Sequence, residues 1–334
     1  MPRALLALGT NLGDRHAMLA RARDRIVDLA SGDFSASRFF ETTPAGGPSN
    51  QGSFLNEAVA FETKLSPHDL HAALRAIEVE LGRVRGERWG ARLIDLDLLL
   101  YDDAHGDPLV TATANLQVPH PRLAFRRFML EPAADVAPQM IHPIVGRCVS
   151  QLLANLDSSP PYVALYGGTA ERRNELAQAV ADLTGAVALL DARGGGLPRT
   201  NGSSGPTLLP PLQFLDKTTE LLAHRNWQAG QWVVSAFFAP QLVADLLLSQ
   251  GNDSTAFQVA QRADSLIPLP RLLTVLDDWD ALVAVHRGVI FEGDSQRQAP
   301  LAVATAGKLP VLCAGRTDFE SQLNEITAAL VAMD

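Results

Sequence analysis

The chain opens with a short apolar run, Ala4 to Leu8, that stops at Gly9 and then changes period. From Arg15 to Ala30 the apolar positions Met18, Ala22, Ile26 and Leu29 recur at helical spacing. Phe34 to Phe40 reads as a strand, Thr42 to Gly52 as a loop dense in Gly, Pro, Ser and Asn, and Phe54 to Glu62 as a strand again. Ser66 followed by Pro67 marks the start of a helix whose apolar stripe is Leu70, Leu74, Ile77 and Leu81. Leu93 to Tyr101 alternates carboxylates with aliphatics and then turns wholly apolar, the pattern of a mostly buried strand. Pro121 leads into a further helix, around Arg122 to Ala133. Strand, helix and two-strand blocks in this order predict an α+β sandwich, with helices packed on an antiparallel or mixed sheet.

The pattern begins again after Asp157 to Pro161, a short stretch of aspartate, serines and prolines that reads as a linker. Tyr162 to Tyr166 is an apolar strand, followed by Gly167, Gly168 and a helix from about Ala170 to Leu183; Ala186 to Asp191 is the next strand. Gly194 to Pro211 reads as a loop, Leu212 to Asn226 and Gln241 to Ser249 as helices, and Gln231 to Phe238, Leu272 to Asp277 and Pro310 to Ala314 as strands before a final helix. Such alternation predicts a parallel-sheet α/β domain. The expected organisation is therefore a first domain over residues 1–156, a linker over 157–161 and a second domain over 162–334.

Composition changes this picture little. The 334 residues are 47% hydrophobic and 19% charged, which suits two globular domains. No apolar run is long enough to span a bilayer, and the start lacks the long apolar stretch of a secretory signal, so a cytoplasmic location is expected. Cys148 and Cys313 fall in different predicted domains and read as buried thiols rather than a disulfide. Charge is more informative. Of the net −9, residues 1–156 carry 16 basic against 18 acidic side chains and the remainder 12 against 19. Neither nucleic-acid nor membrane binding is indicated, and in so acidic a chain a local knot of arginines implies a local anionic ligand.

That knot is GRVRGERWGARLIDLDLLLY, from Gly82 to Tyr101. Successive strand side chains point to opposite faces, so Asp95 and Asp97 share one face. Paired carboxylates raise each other's pKa unless a cation lies between them, and hard oxygen ligands suit Mg²⁺, which completes its shell with water and substrate phosphates. Arg83, Arg85, Arg88 and Arg92 just upstream can grip phosphate oxygens in bidentate fashion. The bland reading is an edge strand with solvated aspartates beside a basic loop paired with Glu78, Glu80 and Glu87. Trp89 is either a packing anchor or a lid over a flat ligand.

These residues resemble the signature of the 6-hydroxymethyl-7,8-dihydropterin pyrophosphokinases of folate biosynthesis. Other landmarks stand in the same order: LGTNLGDR from Leu8, TTPAGGP from Thr42, FLNEAV from Phe54 and VPHPRLAFRRFMLEPAADVAP from Val118, covering roughly the first 155 residues. The resemblance implies a ferredoxin-like arrangement and transfer of a pyrophosphoryl group from the co-substrate ATP to the hydroxymethyl of a reduced pterin, releasing AMP. It implies Mg²⁺, two ions, on Asp95 and Asp97. It makes Arg83 and Arg92 catalytic, with Asp97 a further candidate for the substrate hydroxyl's proton. Arg83, Arg85, Arg88, Arg92, His120 and Arg126 are implied on ATP, and Thr43, Pro44, Phe54, Asn56, Trp89 and Phe128 on the pterin. Phe54 stands where relatives often have tyrosine, and Arg127 where some have a small residue. His105 and His142 are read as surface residues.

Laid against G-x-x-x-x-G-K-[ST], the turn at Gly167 reads GGTAERRN: Arg172 replaces the second glycine, Arg173 the lysine and Asn174 the metal-binding hydroxyl. With QWVVSAFF at Gln231 and LLTVLDD at Leu272, the second half resembles a P-loop deoxynucleoside kinase, Ala236 standing where those enzymes usually have an acid. The expectation is a degenerate domain without phosphotransfer that stabilises, dimerises or regulates the first, Arg173 retaining the chemistry to hold a phosphate. A glycosyltransferase also uses Asp-x-Asp, but needs a nucleotide-binding domain upstream that residues 1–94 do not resemble. A non-catalytic scaffold conflicts with intact Arg83, Arg92, Asp95 and Asp97.

Overall fold

In the computed structural model, which describes residues 1–48, 50–83, 90–191, 231–238, 270–277, 283 and 309–334, the first apolar run becomes β1 (Arg3–Thr10). Two units are distinct: residues 1–158 together with 328–334, and residues 159–327. In the first, Asp14 caps α1 (Arg15–Val27) by accepting from the Ala17 amide at 3.0 Å. The predicted strand from Phe34 to Phe40 is instead two short ones, β2 (Phe34–Ala36) and β3 (Phe40–Thr42), paired in turn with β4 (Phe54–Glu62). The break comes from one side chain, since the Ser37 hydroxyl accepts from the Ala58 amide at 3.0 Å and donates to the Arg38 carbonyl. That side chain replaces a ladder contact.

Ser66 accepts from the Asp69 amide to cap α2 (Pro67–Glu80), and β5 (Asp95–Asp102) completes an antiparallel sheet of order β2-β4-β1-β5, with β3 also on β4. Leu6, Leu8, Leu55, Val59, Leu96 and Leu98 project from one face onto Leu19, Ala22 and Ile26 of α1 and Leu70, Leu74 and Ile77 of α2. Each such buried leucine, isoleucine or valine contributes about 1.5–3 kcal/mol. Glu57 is buried on this helical side, where it pairs with Arg23 at 2.6 Å. After the hairpin of β6 (Thr111–Ala112) and β7 (Gln117–Val118), the other face carries α3 (Arg127–Val136). The predicted helix from Arg122 is split: a 3-10 turn at Leu123–Phe125 ends at Arg126, whose backbone is extended, and α3 starts anew.

Two further expectations are corrected. His142 lies not on the surface but buried in β8 (Ile141–His142), where its Nδ1 accepts from the Val145 amide and closes the turn to β9 (Arg147–Cys148). Cys148 and Cys313 are free thiols, but half-buried rather than buried. The linker read from Asp157 is still helical at its start, since α4 (Val149–Ser158) runs into it.

The second unit holds a parallel sheet of β10 (Tyr162–Tyr166), β11 (Val187–Leu189), β12 (Val233–Ser235), β13 (Leu272–Val275) and β14 (Val311–Cys313), in the order β11-β12-β10-β13-β14. α5 (Ala170–Thr184) follows β10, and α6 (Phe319–Met333) begins in this unit, its residues from Ala328 onward being grouped with the first. β10, β12 and β13 are buried throughout, as strands covered on both faces must be. The loop expected at Gly194 to Pro211 and the helices at Leu212 to Asn226 and Gln241 to Ser249 lie outside the described residues. Among those described, no helix is long and apolar enough to cross a membrane.

Candidate active site

The register of β1 assembles the site. Gly9 lies opposite Asn56 of β4 on one side and Asp95 of β5 on the other, and Ala7 lies opposite Ala58 and Asp97. Neighbouring strands are about 4.8 Å apart, so Asn56 and Asp95 flank β1 at a separation of about 10 Å on a single face. Gly9 keeps the floor low: a Cβ there would come within 3.3 Å of Asn56 Oδ1. One more irregularity matters. Leu5 pairs with Leu100 and Leu6 with Leu98, so Leu99 bulges out of the ladder, and its carbonyl accepts from the His120 amide at 2.8 Å.

A cavity of about 290 Å³ opens on this face, lined by Asp95 and Asp97, by Arg83, Arg92 and Arg126, and by Asn56, Phe54 and Phe128. Asp95 is the hub of its charged end. Its Oδ1 takes Arg83 at 2.6 Å and its Oδ2 takes Arg92. Burial, then the neighbouring Asp97, push the Asp95 pKa up against the pull of the two guanidiniums. Among the described residues the Asp97 side chain forms no hydrogen bond or ion pair.

Two residues outside the expected site set hold the arginines, one of them, Glu78, named beforehand only as a charge partner of the basic loop. Glu78, buried near the end of α2, accepts from the Leu96 amide at 2.9 Å, between the two aspartates, and pairs with Arg83. Burial raises its pKa, opposed by that amide and by Arg83. Asn11 accepts from the Arg92 amide at 2.8 Å, and its own amide side chain donates to Gln51 and the Gly52 carbonyl. Their signals were present in the sequence: a carboxylate embedded in an apolar stripe, and a side-chain amide just past a strand end. Arg75, Arg122 and Met129 also line the cavity.

At the apolar end Asn56 donates to Thr42 Oγ1 at 2.8 Å and, more weakly, to the Phe40 carbonyl at 3.4 Å, which fixes its amide in a cavity that Phe54 and Phe128 also line. The Arg126 guanidinium lies 5.3 Å from the centre of the Phe128 ring. Thr43 lines the cavity; Pro44 is not part of the lining, which continues at Ala45 and Gly46. His120 Nδ1 accepts from the Arg122 amide at 3.2 Å, which leaves the proton on Nε2. Loss of solvation, reinforced by Arg126 and Arg122, holds its pKa well below the usual imidazole value, so the ring is neutral. His120, Arg122 and Asp97 also border a second hollow, shared with His71, Leu98, Thr113, Asn115 and Gln117. Arg85, Arg88 and Trp89 lie outside the described residues.

No three His, Cys, Asp or Glu side chains among the described residues form a metal cluster. Two adjacent carboxylates fit Mg²⁺ nonetheless, because that ion keeps several water or phosphate ligands. Paired aspartates, flanking arginines, two phenyl rings and an amide thus line one cavity, a set suited to metal-assisted phosphoryl transfer to an aromatic substrate.

A profile described as 7,8-dihydro-6-hydroxymethylpterin-pyrophosphokinase (HPPK) matches residues 5–138. The chain is 41% identical over 159 residues to the 2-amino-4-hydroxy-6-hydroxymethyldihydropteridine pyrophosphokinase of Methylorubrum extorquens, spanning 96% of that protein and 48% of this one. It is 40% identical over 153 residues to that of Pseudomonas aeruginosa, spanning 90% of that protein and 46% of this chain. A solved HPPK-DHPS of Plasmodium falciparum gives a TM-score of 0.34 at 11% identity over 96% of this chain and 83% of that one, too low to carry an argument. The chain belongs to the HPPK family through its first unit. It is an ATP-dependent pyrophosphokinase of 6-hydroxymethyl-7,8-dihydropterin, acting in folate biosynthesis.

Proposed function

We propose that the pterin lies between Phe54 and Phe128 with its amide edge on Asn56, that Arg83, Arg92 and His120 hold the triphosphate, and that the rest of the nucleotide extends into the hollow beyond Asp97. The observation that carries this reading is the shared face of Asp95, Asp97 and Asn56 across β1. A substrate hydroxymethyl group on the Asn56 side then faces phosphates on the Asp95 side. Its oxygen attacks the β-phosphorus of ATP, the bond from that phosphorus to the oxygen bridging to the α-phosphate breaks, and AMP leaves.

Asp95 and Asp97 would hold Mg²⁺, whose charge would offset that of the phosphates as the bond breaks. Arg83 and Arg92 exchange the Asp95 carboxylate for oxygens of the transferring group and stabilise its charge. Neutral His120 donates from Nε2 to a phosphate oxygen, and Arg126 supplies a further positive charge. Asp97, with no described partner of its own, accepts the substrate proton. Thr43 contributes backbone contacts to the pterin. The element order of the first unit and its sheet order support a ferredoxin-like assignment. For the second unit, a strand, a double-glycine turn and a helix in a parallel sheet support a kinase-like domain that has lost phosphotransfer and serves the first structurally. Self-association through that unit is tested by light scattering of the full chain.

The experiment is AMP release from ATP and Mg²⁺, with and without 6-hydroxymethyl-7,8-dihydropterin, by the intact chain and by Asp95→Ala/Asp97→Ala. Pterin-dependent AMP from the intact chain alone supports this assignment; equal rates from both proteins sink it.

A further inference from the structure

The second unit contains an arginine whose role the pyrophosphokinase reaction does not explain. β10 is the central strand of its sheet: the chain leaves it toward β11 and β12 on one side and reaches β13 and β14 on the other. In an open parallel sheet, ligands bind beyond the carboxyl ends of the strands at such a switch point. There β10 runs into Gly167 and Gly168, both at positive φ (85° and 60°), and then into α5. A turn of this kind holds a phosphate when its amides converge on the anion.

Here the carbonyls converge instead, on a cation supplied by the chain itself. Arg173, 3% exposed, donates from Nη1 to the Gly167 and Gly168 carbonyls, each at 3.0 Å, and from Nε to the Ala236 carbonyl at 2.7 Å. Its Nη2 pairs with Asp191 at 3.1 Å. The flanking residues are equally committed. Asn174 exchanges two hydrogen bonds with the Asp191 backbone, at 3.1 and 2.6 Å. Arg172 donates to Gln322 at 3.0 Å and lies 4.8 Å over the Phe319 ring, both on α6.

We propose that the Arg173 guanidinium is the resident occupant of this crevice, filling the place of a phosphate and tying together the segments that follow β10, β11 and β12. An entering phosphate would meet three carbonyl oxygens and the Asp191 carboxylate, all repulsive to it, and would have to extract a buried arginine from these four acceptors. Arg173 therefore does not hold a nucleotide in this unit. The place that the motif assigns to a phosphate-binding lysine is here a structural tie.

Two measurements on the full chain test this. Equilibrium dialysis with MgATP in the absence of pterin is expected to give one ATP per chain, retained in Arg173→Ala. Two ATP per chain, or a bound ATP lost on that substitution, overturns the proposal. Calorimetry is expected to show the Arg173→Ala transition lowered by roughly 10 °C, because removing one partner strands a buried carboxylate. Millimolar guanidinium chloride, but not equal sodium chloride, should raise that transition, with no rise in the parent chain. A melting temperature unchanged by the substitution, or no difference between the two salts, overturns the tie. If Arg173→Ala does not fold, the ATP stoichiometry of the parent chain decides on its own.

Discussion

The two units each place an arginine against an aspartate at the end of a strand, and the two pairs differ in one physical respect. Arg92 and Asp95 keep 24% and 21% of their side chains exposed and border a cavity, whereas Arg173 and Asp191 keep 4% and 1%. The first pair can be exchanged. In the reaction proposed above, a phosphate enters, takes the guanidinium in bidentate fashion and leaves the carboxylate free for a cation. The second is sealed, with its remaining donors spent on carbonyls, so separating it strands a desolvated charge. An arginine beside an aspartate is thus a latent anion site or a structural tie according to access and the acceptors around it, not according to residue type.

The sharpest way to break the comparison is to remove the carboxylates of the first site. Asp95→Ala/Asp97→Ala should lower pterin-dependent AMP formation by ~1000-fold or more. Swapping the arginine variants comes next. Arg92→Ala should lower kcat by ~100-fold or more with little change in melting temperature, and Arg173→Ala the reverse, with kcat within about 2-fold below its melting transition. Steady-state assays beside calorimetry separate the two, and a matched loss of both properties in both variants would erase the distinction.

Glu78→Gln keeps an acceptor for the Leu96 amide but loosens Arg83. It should lower kcat by about 10-fold and leave the pterin KM unchanged; a rise in that KM would place Glu78 in the wrong half of the cavity. Gly9→Ala should do the opposite, raising the pterin KM by roughly 10-fold at unchanged ATP KM, because its methyl presses on Asn56.

The smallest effect is one of pH. Burial raises the Asp102 pKa to about 6, and its Oδ1 is buried with no hydrogen bond among the described residues. Because the folded pKa lies above the unfolded one, this carboxyl's contribution is fully present below pH 4 and is lost as pH rises through about 6. Asp102→Asn should remove that slope and gain on the order of 1 kcal/mol at pH 8, after allowance for partial exposure. Urea unfolding at pH 5 and pH 8 measures it, and an unchanged slope would assign the pH dependence to another group.

Much of this was legible beforehand where local physics decides. The helix start at Ser66 and Pro67, the buried stripe of α2 and the common face of Asp95 and Asp97 follow from capping and from periods of 3.6 and 2, which each segment carries in its own residues. The single strand expected from Phe34 to Phe40 was not so decided: Ser37 breaks it by bonding to Ala58 on another strand, a partner that no local pattern names. His142 looked like a surface residue because a histidine is neutral evidence for burial, and only the hairpin around it removes it from water.

By itself the sequence determined the elements with strong periodicity and the inventory of carboxylates, arginines and aromatic rings from which the candidate site is made. The tertiary structure decided the rest. The register of β1 set Asn56 and Asp95 on either side of Gly9, the bulge at Leu99 gave His120 its anchor, and burial turned Arg173 from a candidate phosphate ligand into an internal tie. The reason is that the charge and shape of a side chain are local properties. Its access to water and its set of acceptors are fixed only when distant segments close around it.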